Sequence, residues 1–191
     1  QAIILNNFSF HYALYIMMSW LPTFYEQKLG SSVGSNKLFK MMPYLIMGVF
    51  SNLGGVLADF LIASKADPTR TRKGINTAGF LSAVLSLWIL PYCTDIATAS
   101  IVGSWALGSL SFARGGYSIN HMDIAPRYSG VLMGLSNTAG SLSGMIGPWL
   151  TGILLETSTD PWVDAFAYPS YVILLGVVVY LRFASAEQLF D

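Results

Sequence analysis

The chain alternates between long apolar runs and short polar connectors. Six runs approach the ~20 apolar residues that a membrane-spanning helix needs: residues 2–25, 41–62, 74–92, 97–119, 130–155 and 164–183. The connectors at 26–40, 63–73, 93–96, 120–129 and 156–163 are too short to separate domains. Alternating ten-residue segments, the mark of a transmembrane strand, are absent. Pro22, Pro43, Pro148 and Pro169 fall within or beside the runs. In water they would argue against helix interiors. In a bilayer, neighbouring helices and side chains satisfy the carbonyls they free. The pattern predicts an all-α membrane protein of six transmembrane helices.

Composition supports lipid as the solvent. Only 10% of residues are charged, against about 25% in soluble domains. The formal net charge is zero, so no charged bulk points to nucleic acid as a partner. Cys93 is the single cysteine, which rules out an internal disulfide or a multi-cysteine metal site. No cofactor is expected. Gln1 enters an apolar run at once, without a basic region or cleavage site. The start therefore reads as a continuation of something longer.

Lys and Arg in the short loops set the orientation. Lys28, Lys37 and Lys40 fall on one side; Lys65, Arg70, Arg72, Lys73, Arg127 and Arg182 fall on the other. This bias places the 63–73 connector, and with six spans both ends, in the cytoplasm.

The densest local signal is Gly54-Gly55-Val56-Leu57-Ala58-Asp59, followed by Arg70-Thr71-Arg72-Lys73. The glycines allow two helices to approach closely. Asp59 at the boundary is placed to pair with the loop cations or to cap a neighbouring helix. A contact of that kind would hold one side of a transporter shut; an ordinary helix end followed by a topogenic loop fits equally. The segment resembles the cytoplasmic loop motif of the major facilitator superfamily, and the six spans look like helices seven to twelve of its twelve-helix fold.

A second block narrows the resemblance. Asn120-His121-Met122-Asp123-Ile124-Ala125-Pro126-Arg127-Tyr128-Ser129-Gly130 continues into Met133-Gly134, Ser136-Asn137 and Gly140. It is similar to the organic anion and phosphate transporters of solute carrier family 17, and most similar to the plant type-4 phosphate (anion) transporters. Asn6-Asn7-Phe8, Trp20-Leu21-Pro22-Thr23 and Lys40-Met41-Met42-Pro43-Tyr44 resemble the same group. The resemblance implies secondary transport of a small anion, with inorganic phosphate first and an organic anion such as ascorbate or glutamate second. It implies a missing N-terminal half as partner, H⁺ or Na⁺ as coupling ion, and a plastid or other internal membrane as location.

Individual residues follow. Asp123 and Arg127 are spaced for an i, i+4 pair, and Pro126 can open the fifth span. The block serves either as a capping loop or as a second gate element. His11 and Tyr15 share one face of the first span, at i, i+4. An ionisable group there needs protein or water beside it. The vesicular glutamate transporters carry an arginine close to this point, where this chain has Phe10 with His11 beside it; Tyr15 matches a tyrosine of theirs. Arg114 lies within the fourth span, either snorkelling or serving as a cavity cation. In the fifth span Gly130–Gly134 and Gly140–Gly144 are small-residue pairs suited to helix packing. Family resemblance puts Ser136 and Asn137 in the substrate cavity. The ten acids all fall away from span centres, so His11 is the titratable group best placed in this half, and coupling carboxylates are expected in the other half.

Two other classes compete. A membrane transferase using His121 and Asp123 would need an orienting third group, which the sequence lacks. A stand-alone six-span channel or scaffold would need no second half.

Overall fold

A computed structural model describes residues 1–32 and 36–188; Asp191, one of the acids, lies outside them. The described residues form helices and turns, with no strand among them. In chain order the helices are α1 (Ala2–Gln27), α2 (Lys37–Ala63), α3 (Pro68–Ile89), α4 (Ile96–Phe112), α5 (Arg114–Tyr117), α6 (Asn120–Ile124), α7 (Ser129–Thr157) and α8 (Pro161–Phe183). One-turn 3₁₀ segments at Leu90–Tyr92 and Pro126–Tyr128 follow α3 and α6.

Local chemistry explains the boundaries. Asp67 Oδ1 accepts from the Arg70 backbone N–H at 2.7 Å, and Pro68 occupies the first turn. This cap and the preset proline φ start α3 at Pro68, six residues before the run at 74–92. Arg70, Arg72 and Lys73 therefore stand on a helix, not in a loop. Asp95 caps α4 in the same way, accepting from Thr98 N at 2.9 Å. Helices α1, α2, α7 and α8 run through Pro22, Pro43, Pro148 and Pro169.

The helices pack as α2 on α4, α4 on α3, α3 on α8, α8 on α1 and α1 on α7. Phe10, Ile16, Leu21, Phe24, Phe80 and Phe166 fill the centre. Asn6, Arg72, Asn76, Ser100 and Asn120 are buried too, whereas Leu45, Val49, Val56, Phe60 and Trp149 point outward. Polar inside and apolar outside suits lipid rather than water.

Among the described residues, four helical stretches are long and apolar enough to cross a membrane: Lys37–Ala63, Pro68–Tyr92, Ile96–Ile124 and Pro161–Phe183. The six predicted spans are thus only partly supported. Helices α1 and α7 have the length, at 26 and 29 residues. Their Asn, Ser, Thr and His content makes them less apolar. These two helices pack against each other, with Asn7, His11 and Ser136 along their seam.

Candidate functional site

The seam between α1 and α7 is built by glycine. A methyl group on Gly140 would sit 2.7 Å from His11 Nδ1, and one on Gly144 would sit 2.6 Å from the Tyr15 ring. Only glycine lets the α7 backbone approach this face of α1. The Gly140–Gly144 pair therefore packs as expected. Gly130 and Gly134 do not: nothing lies within 4 Å of a Cβ at either position.

His11 and Tyr15 stack, with ring centroids 5.8 Å apart. His11 Nδ1 lies 2.9 Å from the carbonyl of Asn7. A carbonyl only accepts, so Nδ1 carries the proton and Nε2 of the neutral ring offers a lone pair. Protonation turns Nε2 into a second donor, suited to an anion. The Arg114 guanidinium stands over the Phe10 ring, 5.5 Å from its centroid. Phe10 in turn meets His11 edge-on at 4.9 Å. The cation, two aromatic rings and the imidazole form one continuous group. Arg114 is exposed at the break between α4 and α5. It lies inside the stretch Ile96–Ile124 that is apolar enough to cross a membrane, as its sequence position suggested.

Ser136 and Asn137 diverge. Ser136 is buried in the seam, where its carbonyl accepts from Asn7 Nδ2 at 2.8 Å. Its hydroxyl has no partner among the described residues. Asn137, about 100° round α7 from Ser136, is exposed and makes no hydrogen bond to a described residue.

At one end of the bundle a different cluster forms. Arg72 Nε pairs with Asp123 Oδ2 at 3.1 Å, and Arg72 Nη1 donates to the Gly115 carbonyl at 3.0 Å. The predicted Asp123–Arg127 pair is not made. Helix α6 stops at Ile124, and Pro126 starts a separate 3₁₀ turn that carries Arg127 to the surface. Asp59 is exposed, without an ion-pair partner among the described residues; it lines one open pocket with Arg72 and Asp123. Asp67, not Asp59, caps the neighbouring helix. Arg70 is exposed and Lys73 is half-buried, both on other faces of α3 than Arg72. Gly54 does bring α2 close, against the Phe112 backbone and that of Gly115, whereas a Cβ on Gly55 would meet nothing within 4 Å.

Three links escaped sequence reasoning. Asn6 and Asn76 exchange two side-chain hydrogen bonds, at 2.8 and 3.2 Å, both fully buried. Asn120 Nδ2 donates to Tyr180 Oη at 3.0 Å, and Tyr180 Oη donates to the Gly116 carbonyl at 2.9 Å. Isolated amides within apolar runs were the available signal, since each must find a partner in lipid. His121 is buried, its Nδ1 3.1 Å from the Ser118 carbonyl. It shares no hydrogen bond with Asp123. Among the described residues no group of three or more His, Cys, Asp or Glu could hold a metal.

No family model matches the chain. Curated proteins do. All of this chain matches a "Probable anion transporter 5" of Arabidopsis thaliana at 46% identity, covering 46% of that protein. All of it likewise matches a "Probable anion transporter 6" of Oryza sativa subsp. japonica at 43% identity, covering 47%. A "Sodium-dependent phosphate transport protein 1, chloroplastic" of Arabidopsis thaliana is 35% identical over 190 residues, again the whole chain but 37% of that protein. The chain spans about half the length, or less, of these relatives, which are named as transporters and not as enzymes. With its polar-inside, apolar-outside helices, this integral membrane chain is thus similar along its whole length to about half of each of these plant anion transporters.

Proposed function

We propose that the chain is the C-terminal six-helix half, helices seven to twelve, of a major facilitator secondary transporter for a small anion. Inorganic phosphate is the first substrate and an organic anion such as ascorbate or glutamate the second. The carrying observation is the match of the whole chain to about half of each anion transporter. A half of this kind rocks against its partner, with substrate held between them.

His11, Tyr15 and Arg114 form the substrate face of this half, and Asn137 completes it where the other half approaches. Ser136 holds α7 against α1 through its carbonyl. Arg72 and Asp123 are the cytoplasmic gate, with Asp59, Arg70, Lys73 and Arg127 around its rim. The coupling ion is H⁺ or Na⁺, and its carboxylates lie in the other half. The membrane is that of a plastid or another internal compartment, in keeping with a chloroplastic relative.

The test is uptake by the full-length protein in liposomes. Labelled phosphate, ascorbate and glutamate are offered under an inward Na⁺ or H⁺ gradient. Gradient-driven accumulation of one of them is expected; accumulation of none, with counterflow also absent, refutes the reading.

A further inference from the structure

Helices α2 and α3 touch little, and the space between them is floored by α4 and α5. Two cavities occupy this space. One is lined by Leu57, Leu61, Arg70, Gly74, Ala78 and Phe112. The other is lined by Phe50, Gly79, Ser82 and Trp105, together with the same Ala78 and Phe112. The shared residues make them one groove. From Arg70 to Ser82 it follows α3 for about 18 Å, at 1.5 Å per residue. That is roughly one leaflet of a hydrocarbon core ~30 Å thick.

The two ends differ in chemistry. The deep end is aromatic: Phe50 and Trp105 meet edge-on with centroids 5.7 Å apart. Its polar atoms are spent internally, since Trp105 Nε1 and Ser109 Oγ both donate to Ser82 Oγ, at 2.8 and 3.1 Å. The shallow end carries Arg70, which is exposed at the start of a stretch apolar enough to cross a membrane and has no ion-pair partner among the described residues. Nothing lies within 4 Å of a Cβ on Gly74, which leaves the mouth open.

We infer that this groove binds one anionic phospholipid, with an acyl chain along Ala78 and Phe112 towards Trp105 and the phosphate on Arg70. An apolar slot of leaflet depth with an unpaired guanidinium at its rim complements a lipid of that charge, and basic pockets between spanning helices bind acidic headgroups. The site stands apart from the α1/α7 seam; it borders the Arg72–Asp123 pair only through Arg70, which lies on another face of α3 and lines the groove and not the pocket of that pair, and it does not rest on the transport reading.

Trp105 supplies the probe. Full-length protein is reconstituted in phosphatidylcholine with small fractions of brominated phosphatidylglycerol or brominated phosphatidylcholine. The groove signal is the quenching that Trp105→Phe removes. Brominated phosphatidylglycerol should quench this component at about one-fifth the fraction that phosphatidylcholine requires. Arg70→Gln should erase that preference while leaving quenching itself. Ala78→Phe, which fills the groove, should remove quenching by both lipids, with thermal unfolding showing that the variant is folded. Selectivity that survives Arg70→Gln overturns the headgroup assignment. Quenching unchanged by Ala78→Phe overturns the acyl-chain assignment. No Trp105 quenching by either lipid means that another segment covers the groove, and overturns both.

Discussion

Arg72 brings a guanidinium into a site where it is 4% exposed. Two of its donors are used there, one on Asp123 and one on the Gly115 carbonyl. Removing it leaves a partly buried carboxylate without its cation. Hydrogen bonds to charged groups contribute roughly 1.5–3 kcal/mol, so Arg72→Gln should destabilise the protein by about 2 kcal/mol. Asp59→Asn, at an exposed unpaired position, should change stability by less than about 0.5 kcal/mol. Thermal unfolding in detergent compares the two; equal losses would mean that Asp59 has a partner this structure lacks. Asn6 and Asn76 give a second residue-scale test. Asn6→Leu alone strands the Asn76 amide and should cost about 1–3 kcal/mol. The double change Asn6→Leu with Asn76→Leu should cost less than the sum of the single changes, because no orphan amide remains. Simple additivity would show that the pair is not coupled. The sequence marked Arg72 and Asp123 individually, each within its own motif. Their pairing across 51 positions was not legible, because it depends on where α4 breaks at Ala113 and how α6 turns back.

At the scale of elements, hydrophobic runs located the six long helices to within a few residues at most ends. They failed at the start of α3, where the Asp67 cap and Pro68 extend the helix through Arg70, Arg72 and Lys73. Periodicity could not see that extension, since those positions are polar. The glycine pairs of α7 were legible as packing signals, but not which pair meets a partner inside this chain. Gly140 and Gly144 meet α1, whereas Gly130 and Gly134 face open space. Gly140→Val and Gly144→Val should therefore push α7 away from His11 and Tyr15. Overpacking of this kind costs about 1–3 kcal/mol. Gly130→Ala should leave the bundle intact, and can even favour the helix through propensity. Cross-linking between cysteines placed on α1 and α7 reads the difference: a strong loss is expected in the two valine variants and none in Gly130→Ala. A loss in Gly130→Ala equal to theirs would mean that the stripe acts as one surface.

At the scale of the whole molecule, the proposed substrate face draws on α1, the α4/α5 break and α7. Position within the spans singled out His11 and Arg114, and family resemblance added Tyr15, Ser136 and Asn137. The structure joins His11 and Tyr15 directly and Arg114 through Phe10, buries Ser136, and turns Asn137 outward. Only geometry could separate the last two, because neighbouring helix positions point about 100° apart. The apolar outer surface of α2 and α7 was legible as hydrophobicity, but its share between lipid and a second half was not. Transport by one half against another makes a demand on the whole protein. The direct measurement is phosphate counterflow in liposomes containing the full-length protein, its His11→Ala variant, or this chain alone. Counterflow should be robust in the first, at least about tenfold weaker in the second at subsaturating phosphate if His11 contributes a charge-assisted hydrogen bond, and absent in the third. Counterflow by this chain alone, or an unchanged rate in His11→Ala, would contradict the account.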